Sequence, residues 1–162
     1  MNTITLKGIV DEDFVNYKVP SMLLIFPECS FKCDIENKQQ LCQNSNLITE
    51  PDIIVNITTL CKRYLSNPIT KAIISQGLEP LDSFNELCDF ISCLRFEHHC
   101  NDPIVIYTGY NKAEIEMQVQ ALKLYPNIII KYGRFKPDQE PHLDTTLGVK
   151  LASDNQYAER IS

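Results

Sequence analysis

The chain has 162 residues, 44% of them hydrophobic and 22% charged, with a formal net charge of −6. This composition is near the globular average and suits one domain, residues 1–162, with a sizeable core. The acidic balance works against broad phosphate-backbone binding, which needs clustered Lys and Arg, so no direct nucleic-acid binding is expected.

Met1 to Gly8 carries no basic region followed by an apolar stretch, so no signal peptide is expected, and no apolar run approaches a membrane span. A cytoplasmic location is the expectation. There, seven cysteines stay reduced, and grouped ones read as metal ligands or redox groups rather than disulfides.

Thr3 to Val10 reads as a strand. Pro20 to Phe26 is a nearly continuous apolar run, as expected for a strand buried on both faces. Residues 27 to 48 form a long polar loop, and loops of this length in compact domains are functional or disordered. Thr49-Glu50-Pro51-Asp52 has the capping hydroxyl and early acids of a helix start, with the helix running to about Leu65 and ended by Asn67-Pro68. Lys71 to Ser75 is a second buried strand. Asp82 or Ser83 caps the next helix, whose Phe84, Leu87, Phe90, Ile91 and Leu94 follow helical spacing. Pro103 to Thr108 is a third core strand, and Asn111 caps a helix to about Tyr125. Asn127 to Lys131 is a fourth core strand and Gly148 to Ala152 a fifth.

Strands separated by helices imply βαβ crossovers and a mostly parallel sheet. Four or five such units do not fill an eight-stranded barrel, so the expected class is α/β with an open or incomplete β/α barrel. In either architecture the ligand belongs at the C-terminal strand ends. Four loops should therefore meet at one edge: the cysteine loop, Gln76–Pro80, the turn at Gly109, and Gly133-Arg134.

The cysteine loop carries Cys29, Cys33 and Cys42. Three thiolates suit an iron–sulfur cluster with one iron left without a protein ligand. They also suit zinc with a distant fourth ligand such as His98, His99, Cys100 or His142, or no metal at all. In Gln76-Gly77-Leu78-Glu79-Pro80, glycine would let backbone approach a ligand, unpaired carbonyls would accept from an ammonium group, and proline would fix the turn. An ordinary βα turn has the same composition. Cys61, Cys88 and Cys93 fall in helices and read as core residues. Cys100 with His98 and His99 is a further metal candidate that lacks a fourth partner. Arg134 and Asp154 are candidates for a ligand's carboxylate or ribose, and Glu114 and Glu116 read as a solvated helix face.

Taken together, these segments resemble the radical S-adenosylmethionine enzymes, and among them the small activating proteins of anaerobic ribonucleotide reductase. Cys29-Ser30-Phe31-Lys32-Cys33 is similar to the first half of the family's cysteine loop, and Cys42-Gln43-Asn44 to its end. Gly77-Leu78-Glu79-Pro80 resembles the Gly-Gly-Glu-Pro motif. Tyr107-Thr108-Gly109-Tyr110 and Ala152-Ser153-Asp154-Asn155-Gln156 resemble two further activator segments. The resemblance runs from about residue 5 to 161. Eight residues separate Cys33 from Cys42 where the family has two, a lengthening that costs about 1 kcal/mol or less in loop entropy. Leu78 stands in place of the second motif glycine.

The resemblance implies a [4Fe-4S] cluster held by Cys29, Cys33 and Cys42. It implies S-adenosylmethionine on the open iron, with Gly77, Leu78, Glu79, Asn44, Thr108, Arg134 and Asn155 around it. Phe31 and Lys32 would shield the cluster or contact adenine. The implied reaction installs a glycyl radical on a larger protein such as anaerobic ribonucleotide reductase, with flavodoxin or ferredoxin as electron donor and no membrane. Action on a small molecule or nucleoside, or a zinc-stabilised binding module without catalysis, are the alternatives.

Overall fold

The computed structural model describes residues 2–29 and 45–162. Phe31, Lys32, Cys33, Cys42 and Asn44 lie outside the described residues. The described strands are β1 Thr3–Leu6, β2 Gly8–Asp13, β3 Ser21–Phe26, β4 Ile53–Asn56, β5 Ala72–Gly77, β6 Ile104–Tyr107, β7 Ile128–Tyr132, β8 His142–Asp144, β9 Val149–Leu151 and β10 Tyr157–Arg160. The α-helices are α1 Ile57–Ser66, α2 Phe84–Ser92 and α3 Glu116–Leu122.

Six of these strands form one sheet in the order β10-β7-β6-β5-β3-β2. The four inner strands, β3, β5, β6 and β7, are mutually parallel, and β2 and β10 are antiparallel edges. Each inner strand is apolar on both sides because each face is covered. On one face Met22, Leu24, Phe26, Ile73, Ile104, Ile106, Ile128 and Ile130 pack with side chains of all three helices and of β1. On the other, Leu23, Ile74, Val105 and Ile129 pack under Tyr17, Leu147 and Leu151.

The expected strand Thr3–Val10 is two strands that part at Lys7. Its amide donates to the Ile25 carbonyl at 2.7 Å, and its ammonium pairs with Asp52 at 2.7 Å. Ile4 and Leu6 are thereby buried with β1 on the helical face, while β2 joins the main sheet beside β3. The expected helix start at Thr49 is also displaced. Ser45–Thr49 is a 3-10 turn, and Ile53-Ile54-Val55 extends as β4 against β1. Three successive β-branched residues favour strand over a first helical turn. Asn56 then caps α1, its side chain accepting from the Thr59 amide at 2.9 Å. Ile57, Leu60, Cys61 and Tyr64 form the buried stripe of that helix, and Asn67 ends it.

Ser83 precedes α2, which continues as a π-helical segment, Cys93–Glu97. Asn111 starts the next helical stretch as expected, with its amide donating to Glu114 at 2.8 Å. That stretch is a 3-10 turn, Lys112–Ile115, followed by α3. Gly148 to Ala152 does not enter the main sheet. Instead, β9 pairs with β8 as a hairpin, and Leu147 and Leu151 lie over the second face. The position beside β7 is taken by β10, fixed to the hairpin by the Ala158 amide donating to Asp144 Oδ2 at 2.9 Å.

Candidate functional site

Because β3, β5, β6 and β7 are parallel, the segments that follow them emerge at one edge of the sheet. Phe26 is level with Gly77, and Tyr107 with Lys131. Pairing between the first two strands continues past their ends. The Leu78 amide donates to the Phe26 carbonyl at 3.3 Å, and the Glu79 amide donates to the Glu28 carbonyl. This seam joins the loop bearing half-buried Cys29 to the Gly77–Pro80 turn.

Gly77 has φ of +105°, where L side chains are strained. Leu78, in place of the motif's second glycine, is not among the residues with positive φ, and its side chain is buried. The turn therefore needs glycine at the first position and accepts leucine at the second.

Glu79 is 4% exposed. Its carboxylate accepts from the Gly109 amide at 2.9 Å and from the Leu81 amide at 3.1 Å, with the Thr108 hydroxyl nearby. It thus ties the turn after β5 to the turn after β6. Burial pushes its pKa up to about 7, although these donors and nearby Asp82 also act on it, the donors downward and Asp82 upward. Lys131 is the charged residue of an otherwise apolar strand. Burial brings its ammonium down to about 8 against the opposing pull of Glu79. It donates to the Gly133 carbonyl at 3.0 Å and lies 5.9 Å from the Tyr107 ring centre. Gln76 shares this face and strand level, and its Oε1 is buried without a hydrogen-bond partner among the described residues.

An acid whose folded pKa exceeds its unfolded value binds more protons when folded, so its contribution to stability falls as pH rises from about 4.5 to about 7. Glu79→Gln is expected to remove a decline of about 3 kcal/mol across that window. Urea unfolding at the two ends of the window checks this; an equal decline in both proteins contradicts it.

Past β7, buried Arg134 pairs with Glu114 at 2.7 Å and lies 5.9 Å from the Tyr110 ring centre. Glu114 stays exposed, as expected of a solvated helix face, and is also the ion-pair partner of Arg134. The Tyr110 hydroxyl donates to Asp82 at 2.6 Å, which links this loop to the turn before α2. The Asn155 amide group donates to the Arg134 carbonyl at 2.8 Å and accepts from the Ser153 hydroxyl at 2.7 Å. Gln156 donates to the Gly133 carbonyl at 3.2 Å. The segment Ala152–Gln156 thus holds the loop after β7 in place.

The structure brings Cys29, Gly77, Leu78, Glu79, Thr108, Arg134 and Asn155 to this edge through a connected set of hydrogen bonds and an ion pair. The clamp formed by Glu79, the Asp82–Tyr110 link and buried Lys131 were not singled out from sequence. A lysine closing the run Ile128-Ile129-Ile130 was the available signal, since a charge in a buried strand needs a local reason.

No helix among the described residues is long and apolar enough to cross a membrane. No curated protein matches the chain. A family model does match, over residues 20–156, from the start of the first buried parallel strand to the segment that holds the last site loop, and the chain belongs to that family, the 4Fe-4S single cluster domain.

Proposed function

We propose that the chain is a radical S-adenosylmethionine protein of activating-enzyme type, its sheet forming an incomplete β/α barrel. The observation that carries this reading is the seam between the Cys29 loop and the Gly77–Glu79 turn. It supports a single site in which a cluster and its organic ligand are neighbours.

The donor set fits the group. Three cysteine thiolates suit a [4Fe-4S] cluster and leave one iron for an exchangeable ligand. Cys29, Cys33 and Cys42 would hold it. Gly77, Leu78 and Glu79, with Asn44, Thr108, Arg134 and Asn155, would surround S-adenosylmethionine. The orphaned Oε1 of Gln76 supports a polar ligand at this edge. When bound and reduced, the cluster supplies the electron that cleaves the sulfonium of S-adenosylmethionine to methionine and a 5′-deoxyadenosyl radical.

The chain's own residues do the positioning. Gly77 gives the turn its tight approach to β3, and Glu79 fixes two site loops through backbone amides. Arg134 is held by Glu114, and the Asn155 side chain fixes the Arg134 main chain. The reaction on this reading places a glycyl radical on a larger protein such as anaerobic ribonucleotide reductase, with flavodoxin or ferredoxin as donor, in a reducing cytoplasm.

The test is anaerobic incubation of the reduced protein with S-adenosylmethionine. Release of 5′-deoxyadenosine, with a glycyl-radical electron paramagnetic resonance doublet when the partner is added, is expected. Release with a small molecule or nucleoside alone would move the target away from a protein. No release from protein carrying its full cluster would defeat the radical reading.

A further inference from the structure

We propose that Cys61, Cys93 and His98 form a second metal site, for zinc, in the helical layer. One ligand atom from each residue lies within 4.8 Å of the other two. Cys61 comes from α1, Cys93 opens the π-helical segment, and His98 follows its end. The loop from His98 leads into β6, so this cluster belongs to the N-terminal side of that strand and not to the edge where Cys29 and Glu79 meet.

Two buried cysteines alone would pack as small apolar residues. His98 is what packing leaves unexplained. Its Nε2 is buried and has no hydrogen-bond partner among the described residues. Burying such a nitrogen without a partner is costly, and a metal bond removes that cost.

The backbone supplies the register. Residues five apart do not share a face of a regular α-helix. Here the His98 amide donates to the Cys93 carbonyl at 3.1 Å, an i→i+5 bond, which stacks the two residues in one π turn. Buried Arg95 locks the loop beyond. It donates to the carbonyls of Cys100 at 2.7 Å, Asp102 at 2.8 Å and Pro126 at 2.9 Å. His99 adopts φ of +52° within this constrained stretch. The donors are thus held by the fold before any ion arrives.

Two thiolates and an imidazole are a zinc set, whereas calcium and magnesium require oxygen donors. Two thiol protons leave to solvent as the ion binds, and the thiolates balance its charge with no change in oxidation state. Cys100 packs against the same core cluster as Cys61 and Cys93 and is the candidate for the fourth position. A closed site of this kind would pin α1 to the end of α2.

Cobalt(II) is the probe, because thiolate ligation gives it an intense charge-transfer absorption. The full chain with Cys29, Cys33 and Cys42 all replaced by Ser removes the cluster loop as a competitor. It is expected to bind one cobalt ion per chain with that absorption, and zinc should displace it. Adding His98→Gln, at a partly exposed position, should weaken binding on the order of 100-fold. Adding Cys93→Val, which keeps apolar volume, should do the same while the circular dichroism spectrum stays native. Absence of stoichiometric cobalt binding, or affinity unchanged by both substitutions, overturns the proposal. The proposed enzyme function stands or falls separately, since the triple-Ser variant lacks the cluster ligands.

Discussion

Cys29→Ala is expected to abolish cluster assembly, taking the iron content of anaerobically reconstituted protein from about four per chain to near none and ending cleavage of S-adenosylmethionine. A cluster held by three thiolates has no spare ligand. Cys29 lies just beyond β3, where the seam to Glu79 is made by main-chain atoms that the substitution leaves intact. The fold should therefore survive and the loss should report ligation. Cys88→Ala is the matched control, because that half-buried side chain packs against the helical-face core and should leave iron content unchanged. Full iron content and turnover in the Cys29 variant would remove this residue from the ligand set.

Gly77→Ala is the second large effect. An added Cβ would lie 2.7 Å from Ile25 Cγ2 and 2.7 Å from the Phe26 amide nitrogen, with φ at +105°. The isoleucine tip can shift, but the amide nitrogen belongs to β3 and moves only with the β3–β5 pairing. Conformational strain of about 1–2 kcal/mol and overpacking of about 1–3 kcal/mol point to a loss of roughly 3–4 kcal/mol. For a chain of this size that lowers the thermal midpoint by about 10 °C. Gly109→Ala makes the comparison clean, since its Cβ would meet Arg134 Cγ and Glu79 Oε2 at 3.7 Å, ordinary contact distances. Denaturant unfolding of both variants checks the difference. A loss below about 1 kcal/mol at Gly77 would mean that the turn relaxes, and the tight approach assigned to it would be wrong.

The inner strands were legible in the sequence because burial on both faces writes them as apolar runs. Ser21–Phe26, Ala72–Gly77, Ile104–Tyr107 and Ile128–Tyr132 all stand within two residues of their expected limits. Their parallel pairing then follows from the intervening helices. The periphery was less legible because long-range pairing decides it. Ile53-Ile54-Val55 has an apolar pattern that a helix could also use, and only the availability of β1 makes it a strand. Val149–Leu151 looks like a core strand because Val149 and Leu151 are apolar, yet the site beside β7 goes to Tyr157–Arg160. Lys7 parts β1 from β2 through a hydrogen bond to Ile25 and an ion pair with Asp52, both distant in sequence.

The candidate site shows the same division. Gly77, Glu79, Thr108, Arg134 and Asn155 could be named from local motifs and their place after strands. Their roles could not. Glu79 could be read as a ligand contact, but its carboxylate is occupied by the Gly109 and Leu81 amides. Arg134 finds Glu114 across a loop, and Asn155 finds the Arg134 carbonyl across a strand connection. Such partnerships depend on which loops the sheet gathers, a property no short window contains.

The most direct test of the proposed cluster is iron and acid-labile sulfide analysis of wild-type protein reconstituted without oxygen. About four irons and four sulfides per chain, with charge-transfer absorption that bleaches on reduction, are expected. Protein that stays colourless and holds no iron, with zinc its sole metal, contradicts the cluster and the chemistry proposed to depend on it.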